Sequence, residues 1–271
     1  MRVTPIAVPP DRPADAEPED CAMRIEYKPS KDSATIVADV LSCKDGTARE
    51  ILCGVPIRKP MAYHGQSSKP GFYWMASTGQ HVSFESKFER TILVGYDWSG
   101  TVRRVLPQPL RLYFERTARP YRHVPDFLFE LVGDEHELVD VKGARARQKP
   151  LNSLTFTLTA RAADLLGWAF TVATEPVPVR AANIAYFAGY RTPKFAPIDQ
   201  HIPTLLNILR DDDSTVAGVF AALEATGIAS GVVPAVVWRA AWKRLVFCDI
   251  NRPMTMASAL SLSDDTLECV R

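Results

Sequence analysis

The amino-acid sequence predicts an α/β fold, and three observations carry that expectation. Two extended runs, 124–131 and 136–142, flank Gly133-Asp134, a dipeptide with turn chemistry. A stretch with helical spacing, 81–98, precedes them. An apolar run of strand character, 167–172, lies between helical patterns at 153–167 and 179–189.

The 271 residues suffice for one large domain or two modest ones, and 46% hydrophobic residues supply a core. A net charge of +1 gives no global basic character, although a locally basic face remains compatible with nucleic acid. Cysteines at 21, 43, 53, 248 and 269 form no CxxC pair, which argues against a zinc site or a disulfide framework. A reducing cytoplasm is the simplest setting. No apolar run is long enough for a transmembrane helix, so no membrane partner is expected. Residues 1–23, rich in Pro, Asp and Glu, read as a disordered tail. A main domain over 24–192 and a C-terminal one over 198–271 follow, divided by the two prolines of 191–197.

In chain order, residues 35–41 read as a strand, 44–47 as a turn and 51–57 as a second strand. The aromatic cluster Phe72, Tyr73 and Trp74 reads as core ahead of the helix. In 81–98, Phe84, Phe88, Ile92 and Gly95 recur at helical spacing, with Leu93 and Val94 on the buried side. Glu85 and Glu89 are four apart, hence on one face. Ser83 and Ser86 are candidate N-caps. Residues 102–114 form a β-rich pair broken by Pro107 and Pro109, which places Gln108 at a strand bend. The helix of 153–167 has Phe156, Ala160, Ala163 and Leu166 on one stripe and ends at Gly167.

The chemistry concentrates in 123–142. Side chains alternate along a strand, so Val124, Asp126, Leu128 and Glu130 share one face. In the second run His136, Leu138, Asp140 and Lys142 share a face, while Val139 and Val141 point away. A hairpin centred on Gly133 sets Asp126 opposite Asp140, with Cβ atoms about 4.5–5.5 Å apart. Two carboxylates so close repel, and a divalent cation between them reverses the sign. Two acids and a lysine at a strand end suit metal-assisted phosphodiester hydrolysis. The plain alternative is a solvated hairpin. His123, three residues before Asp126, lines the mouth of such a site or serves a structural role. Arg103, Arg104, Arg111, Arg116, Arg119 and Arg122 before the hairpin, with Arg145, Arg147 and Lys149 after it, would supply phosphate contacts without base readout.

The order ESxxE (85–89), QP (108–109), PDF (125–127) and DVK (140–142) resembles the TnsA-type endonuclease subunits of heteromeric transposases, in the PD-(D/E)xK restriction-endonuclease-like superfamily. PGFYW (70–74), GW (167–168) and YFAGYR (186–191) add to the likeness, which covers 65–195 well and the rest loosely. The resemblance implies a restriction-endonuclease-like core, a mixed sheet flanked by helices. It implies catalytic Glu89, Asp126, Asp140 and Lys142, with Glu85 a competing helix acid. Mg²⁺, or Mn²⁺, would sit on Glu89, Asp126, Asp140 and the Val141 carbonyl. The implied function is nicking of the 5′ ends of a mobile element, with double-stranded DNA, an integrase-fold transposase subunit and an ATPase regulator as partners. Rival readings are a stand-alone nuclease of restriction or repair, a non-catalytic DNA-binding adaptor, and an assembly protein acting through its C-terminal helices.

Beyond 198, helices are expected over 201–210, 214–226 and 232–247, with Trp238 and Trp242 on one face as core and 249–256 as a wing-like strand. The sum is a small winged-helix-like domain. Asp211, Asp212 and Asp213 are adjacent and cannot face one point, so they read as helix-end acids rather than metal ligands.

Overall fold

A computed structural model of the chain describes residues 22–43, 46–58, 69–115, 121–210 and 214–263. Residues 1–21 of the expected tail, the Asp211–213 run, His64, Arg116, Arg119, Cys21 and Cys269 lie outside the described residues, while Ala22 and Met23, expected in that tail, open a strand. The fold is mixed α/β and divides into two compact units, 1–175 and 176–271.

The first unit opens with β1 (Ala22–Tyr27), whose alternate residues Met23, Ile25 and Tyr27 are buried, and β2 (Ile36–Asp39). Residues 51–57, expected as a strand, are instead largely helix and turn: α1 runs Thr47–Leu52. Ala48, Ile51 and Leu52 are its buried residues, and that i, i+3, i+4 recurrence is helical. Next come β3 (Gly71–Met75) and β4 (Gln80–Phe84), an antiparallel hairpin, then α2 (Lys87–Ser99). The helix expected from residue 81 therefore starts six residues later. Ser86 is its N-cap, accepting from the Glu89 N–H at 3.1 Å. The capping signal prevails over the Phe84 spacing, because Val82, Ser83 and Phe84 are all buried as strand. In the aromatic cluster, Tyr73 is core, whereas Phe72 is 73% exposed.

Strand β5 (Val102–Pro107) and strand β6 (Leu110–Glu115) belong to different sheets. The chain changes sheets at Gln108-Pro109, where Gln108 has φ 40°, unusual for a residue with a Cβ. It changes back between β7 (Tyr121–His123) and β8 (Phe127–Leu131). Strand β9 (His136–Val141) follows, then α3 (Ala144–Arg147), α4 (Pro150–Leu165) and β10 (Ala169–Ala173). One sheet is antiparallel with order β2-β1-β6-β7. The other, β10-β9-β8-β5, is mixed, because β10 returns parallel to β9 through the α3–α4 crossover. Pro150 at the first turn and Gly167 at φ 72° just past the end delimit α4. Its buried stripe is Thr155, Leu158, Thr159, Ala162 and Ala163, so of the four residues expected to line it only Ala163 does. An apolar core collects Ile25, Leu112 and Phe114 from one sheet, Leu128 and Leu138 from the other, and Leu158 from α4. Each such side chain, fully buried, contributes roughly 1.5–3 kcal/mol.

The second unit begins with α5 (Pro178–Phe187). Residues 176–192, expected with the first domain, belong here because Phe187 stacks on Trp238 at 5.5 Å and Asn183 donates to the Ile250 and Arg252 carbonyls. The expected linker is a 3₁₀ segment, Pro193–His201, tied down by Asp199. Then follow α6 (Ile202–Ile208), β11 (Ser214–Thr215), α7 (Val216–Ala225), α8 (Val233–Trp242), β12 (Val246–Phe247) and β13 (Ala259–Leu262). The three strands pair in the order β11-β13-β12. Residues 249–256 form the loop before β13, not a strand. Trp238 and Trp242 are buried, as expected.

Candidate functional site

The site is built where the two four-stranded sheets of the first unit exchange strands. The β8–β9 pairs run Phe127↔Val139, Leu128↔Leu138, Phe129↔Glu137 and Glu130↔His136, all equidistant from Gly133. Gly133 (φ 96°) and Asp134 (φ 61°) make the turn, both in the left-handed region that glycine and Asp tolerate. The counted register holds over 127–130, but the ladder stops at Phe127 and Asp126 is not paired opposite Asp140 as counted. The Asp126 N–H donates to the Val139 carbonyl at 3.0 Å, so Asp126 and Phe127 both face Val139. This two-against-one arrangement is that of a β-bulge, a feature that re-aims a side chain at a strand end.

The Asp126 carboxylate thus turns onto the adjacent strand. Its Oδ2 accepts from the Val141 N–H at 2.7 Å. Asp140, buried in β9, has its Oδ2 2.8 Å from His123 Nε2. No hydrogen bond reaches Oδ1 of either acid among the described residues. Other acids of the unit are placed differently. Asp97 accepts from Tyr73 Oη and the Ala76 N–H on one oxygen and from the Ser77 N–H on the other. Glu89 closes a capping box: Oε2 accepts from the Glu85 N–H at 2.6 Å and Oε1 from Ser86 Oγ at 2.9 Å. Glu85 lies just outside α2, not on its face, and pairs with Arg58 at 2.8 Å. Glu130, on the expected Asp126 face, lies 3.5 Å from Arg104.

Burial pushes the Asp126 carboxyl well above its ordinary value, and the negative charges of Asp140, Glu89 and Glu85 push in the same direction. The Val141 N–H opposes them. Glu89 is likewise raised by burial. Asp126 thus feels the charges of Asp140 and Glu89, while Glu89 is governed by its own cap and by Glu85 and Arg58. Lys142 continues from β9 with its N–H bonded to the Ala173 carbonyl at 2.9 Å, two residues past Asp140 and so on the same face. Its ammonium forms no ion pair with a described acid.

Among the described residues no three His, Cys, Asp or Glu side chains are grouped to hold a metal ion. Mg²⁺ needs fewer: it is commonly held by one or two carboxylates plus substrate phosphate. Asp126 and Asp140 fit that requirement, each with one anchored oxygen and one unbonded. Glu89 fits it less well, with both oxygens engaged in the cap. Close by is a further polar group awaiting a partner. Gln108 donates its N–H to the Asp126 carbonyl at 2.8 Å and is fully buried, yet neither side-chain amide atom has a partner among the described residues.

Of the expected basic rim, Arg103 pairs with Asp134, Arg104 with Glu130 and Arg111 with Glu26. Arg122, Arg145, Arg147 and Lys149 form no ion pair among the described residues.

His123 is the contact that residue order undervalues. It ends β7 in one sheet, while Asp140 belongs to the other. The signal in the sequence is its place three residues before Asp126, across Pro125, where the strand must leave its sheet.

The chain matches no protein-family model and no curated protein sequence. No helix among the described residues is long and apolar enough to cross a membrane.

Proposed function

We propose that the chain is a Mg²⁺-dependent DNA endonuclease of the PD-(D/E)xK type, acting as the TnsA-like partner of a separate transposase. The observation that carries this reading is the asymmetry of two neighbouring acids, Asp140 buried and Asp126 half-buried. Asp126 and Asp140 are each anchored through Oδ2 and accept no hydrogen bond at Oδ1 from the described residues. They lie at the end of a mixed sheet flanked by helices. When bound, Mg²⁺ or Mn²⁺ would supply Lewis-acid polarisation of a phosphoryl group. Asp126 and Asp140 would hold it, with the Val141 carbonyl and Glu89 or Glu85 as further oxygen donors. Lys142 orients the attacking water and offsets charge on the phosphorane. Arg122, Arg145, Arg147 and Lys149 hold the DNA backbone.

The second unit supports a winged-helix reading through its element order and its β11-β13-β12 sheet. Its helix α8 is buried along Val236–Trp242, with Arg239 engaged by Asp199. That burial disfavours insertion of α8 into a DNA groove.

The test is nicking of a supercoiled plasmid carrying mobile-element ends, with Mg²⁺ or Mn²⁺, with and without transposase and ATPase subunits. Asp126→Ala and Lys142→Ala are expected to lower the rate at least about 100-fold. Nicking that persists in both variants removes this assignment. Nicking of plasmids without such ends, independent of partners, favours a stand-alone nuclease instead.

A further inference from the structure

We infer that His123 is a positioning residue, fixing Asp140 so that its Oδ1 is presented to a divalent cation. The inference rests on the metal-centre reading above and adds a residue to it. A carboxylate only accepts, so the 2.8 Å contact requires that His123 carry a proton on Nε2 and donate it to Oδ2. His123 is the last residue of β7, held in the ladder opposite Leu112. Its ring therefore reaches Asp140 from a different sheet, and the carboxylate orientation is set by tertiary structure rather than by the β9 rotamer alone.

Asp97 and Glu89 are bonded on both oxygens, whereas Oε2 of buried Glu130 lies 3.5 Å from Arg104 with no hydrogen-bond partner among the described residues. Asp140 is bonded on one, although it is just as buried. Asp140 differs from all three in having a second acid beside it that is held in the same way. The same division recurs at Asp126, whose Oδ2 is held by the Val141 N–H. Two adjacent acids, each held by a donor on one oxygen and open on the other, form a pair oriented for a shared cation. Outer partners of this kind orient a ligand, and their loss typically lowers metal affinity about 10–100-fold.

The experiment is a titration of the full chain with Mn²⁺ without DNA, free Mn²⁺ being read by electron paramagnetic resonance. His123→Leu removes the donor. His123→Gln keeps an amide N–H near the place of Nε2. The expected result is a loss of about 10–100-fold in Mn²⁺ affinity for His123→Leu, with most of it restored in His123→Gln. Thermal unfolding accompanies each titration, and His123→Ala replaces the leucine variant if that one does not fold. Unchanged Mn²⁺ affinity in the donor-less variant overturns the inference alone, as does a His123→Gln variant no tighter than it. No Mn²⁺ uptake by the wild-type chain overturns the metal-centre reading and the inference with it.

Discussion

Asp126 places a negative group where burial and three neighbouring acids oppose its charge. Its folded-state carboxyl is therefore raised above the unfolded value, so the native chain binds more protons than the unfolded one between the two values. Stability then falls as pH rises through that window. Asp126→Asn removes the penalty while keeping an oxygen for the Val141 N–H. In chelator at about pH 7 the variant is expected to unfold at higher urea than the wild type. That advantage disappears as pH falls to the ordinary carboxyl value near 3.8. An equal or lower midpoint at neutral pH would sink this account of Asp126. Much of the site is legible at this scale in the sequence, because Gly133 is a symmetry centre from which Asp126 and Asp140 can be counted into proximity. What counting does not give is which oxygen is occupied. That depends on the bulge at Asp126 and on His123, and both arise where strands change sheets.

At the scale of elements, α2 is set by its first turn. Ser86 and Glu89 satisfy one another's orphan groups, and Glu89 also satisfies the Glu85 N–H. Ser86→Ala is expected to cost about 0.5–2 kcal/mol in urea unfolding. Glu89→Gln keeps a side chain that can close the box and drops a charge that burial disfavours. Its stability is expected to stay within about 0.5 kcal/mol of wild type, since no cap is lost. A loss as large as that of Ser86→Ala would show that the carboxylate charge itself holds the turn. This element also explains where the sequence misleads. Phe84, Phe88 and Ile92 keep helical spacing across a strand-to-helix boundary, so periodicity alone extends the helix back through β4. Likewise, Ile51 and Leu52 are apolar enough for a strand, and only their relation to Ala48 reveals α1. The hairpin of β8 and β9, the helix α4 and the strand β10 are legible because turn, length and pattern agree there, although β10, expected as a buried strand, lies at the sheet edge and is half-exposed.

For the whole molecule, the division falls at 175/176 because the second unit closes its own core. Leu205, Val219, Leu223, Val233, Val236, Val237 and Leu260 are all fully buried. A fragment of residues 176–271 is therefore expected to unfold cooperatively. Within it, Asp199 anchors the 3₁₀ segment on α8: Oδ2 accepts from Arg239 Nη2 at 3.0 Å and from Lys243 Nζ at 2.8 Å. Arg239 is itself buried and also donates to the Tyr190 and Thr192 carbonyls. The Arg239 hydrogen bonds, then those of Lys243, hold the Asp199 carboxyl below its ordinary value. A depressed folded value gives stability that is present above the unfolded value near 3.8 and is lost as pH falls through the lower folded one. Asp199→Asn is thus expected to destabilise the fragment most at neutral pH, by about 1.5–3 kcal/mol for a charged hydrogen-bonded pair, nearer the lower figure because Asp199 is partly exposed. Urea midpoints of wild type and variant should converge as the acid range is entered. A deficit that stays constant from neutral to acid pH would mean that Asp199 acts through packing rather than charge. A fragment that binds hydrophobic dye and melts without a transition would mean that residues 176–271 need the rest of the chain to fold.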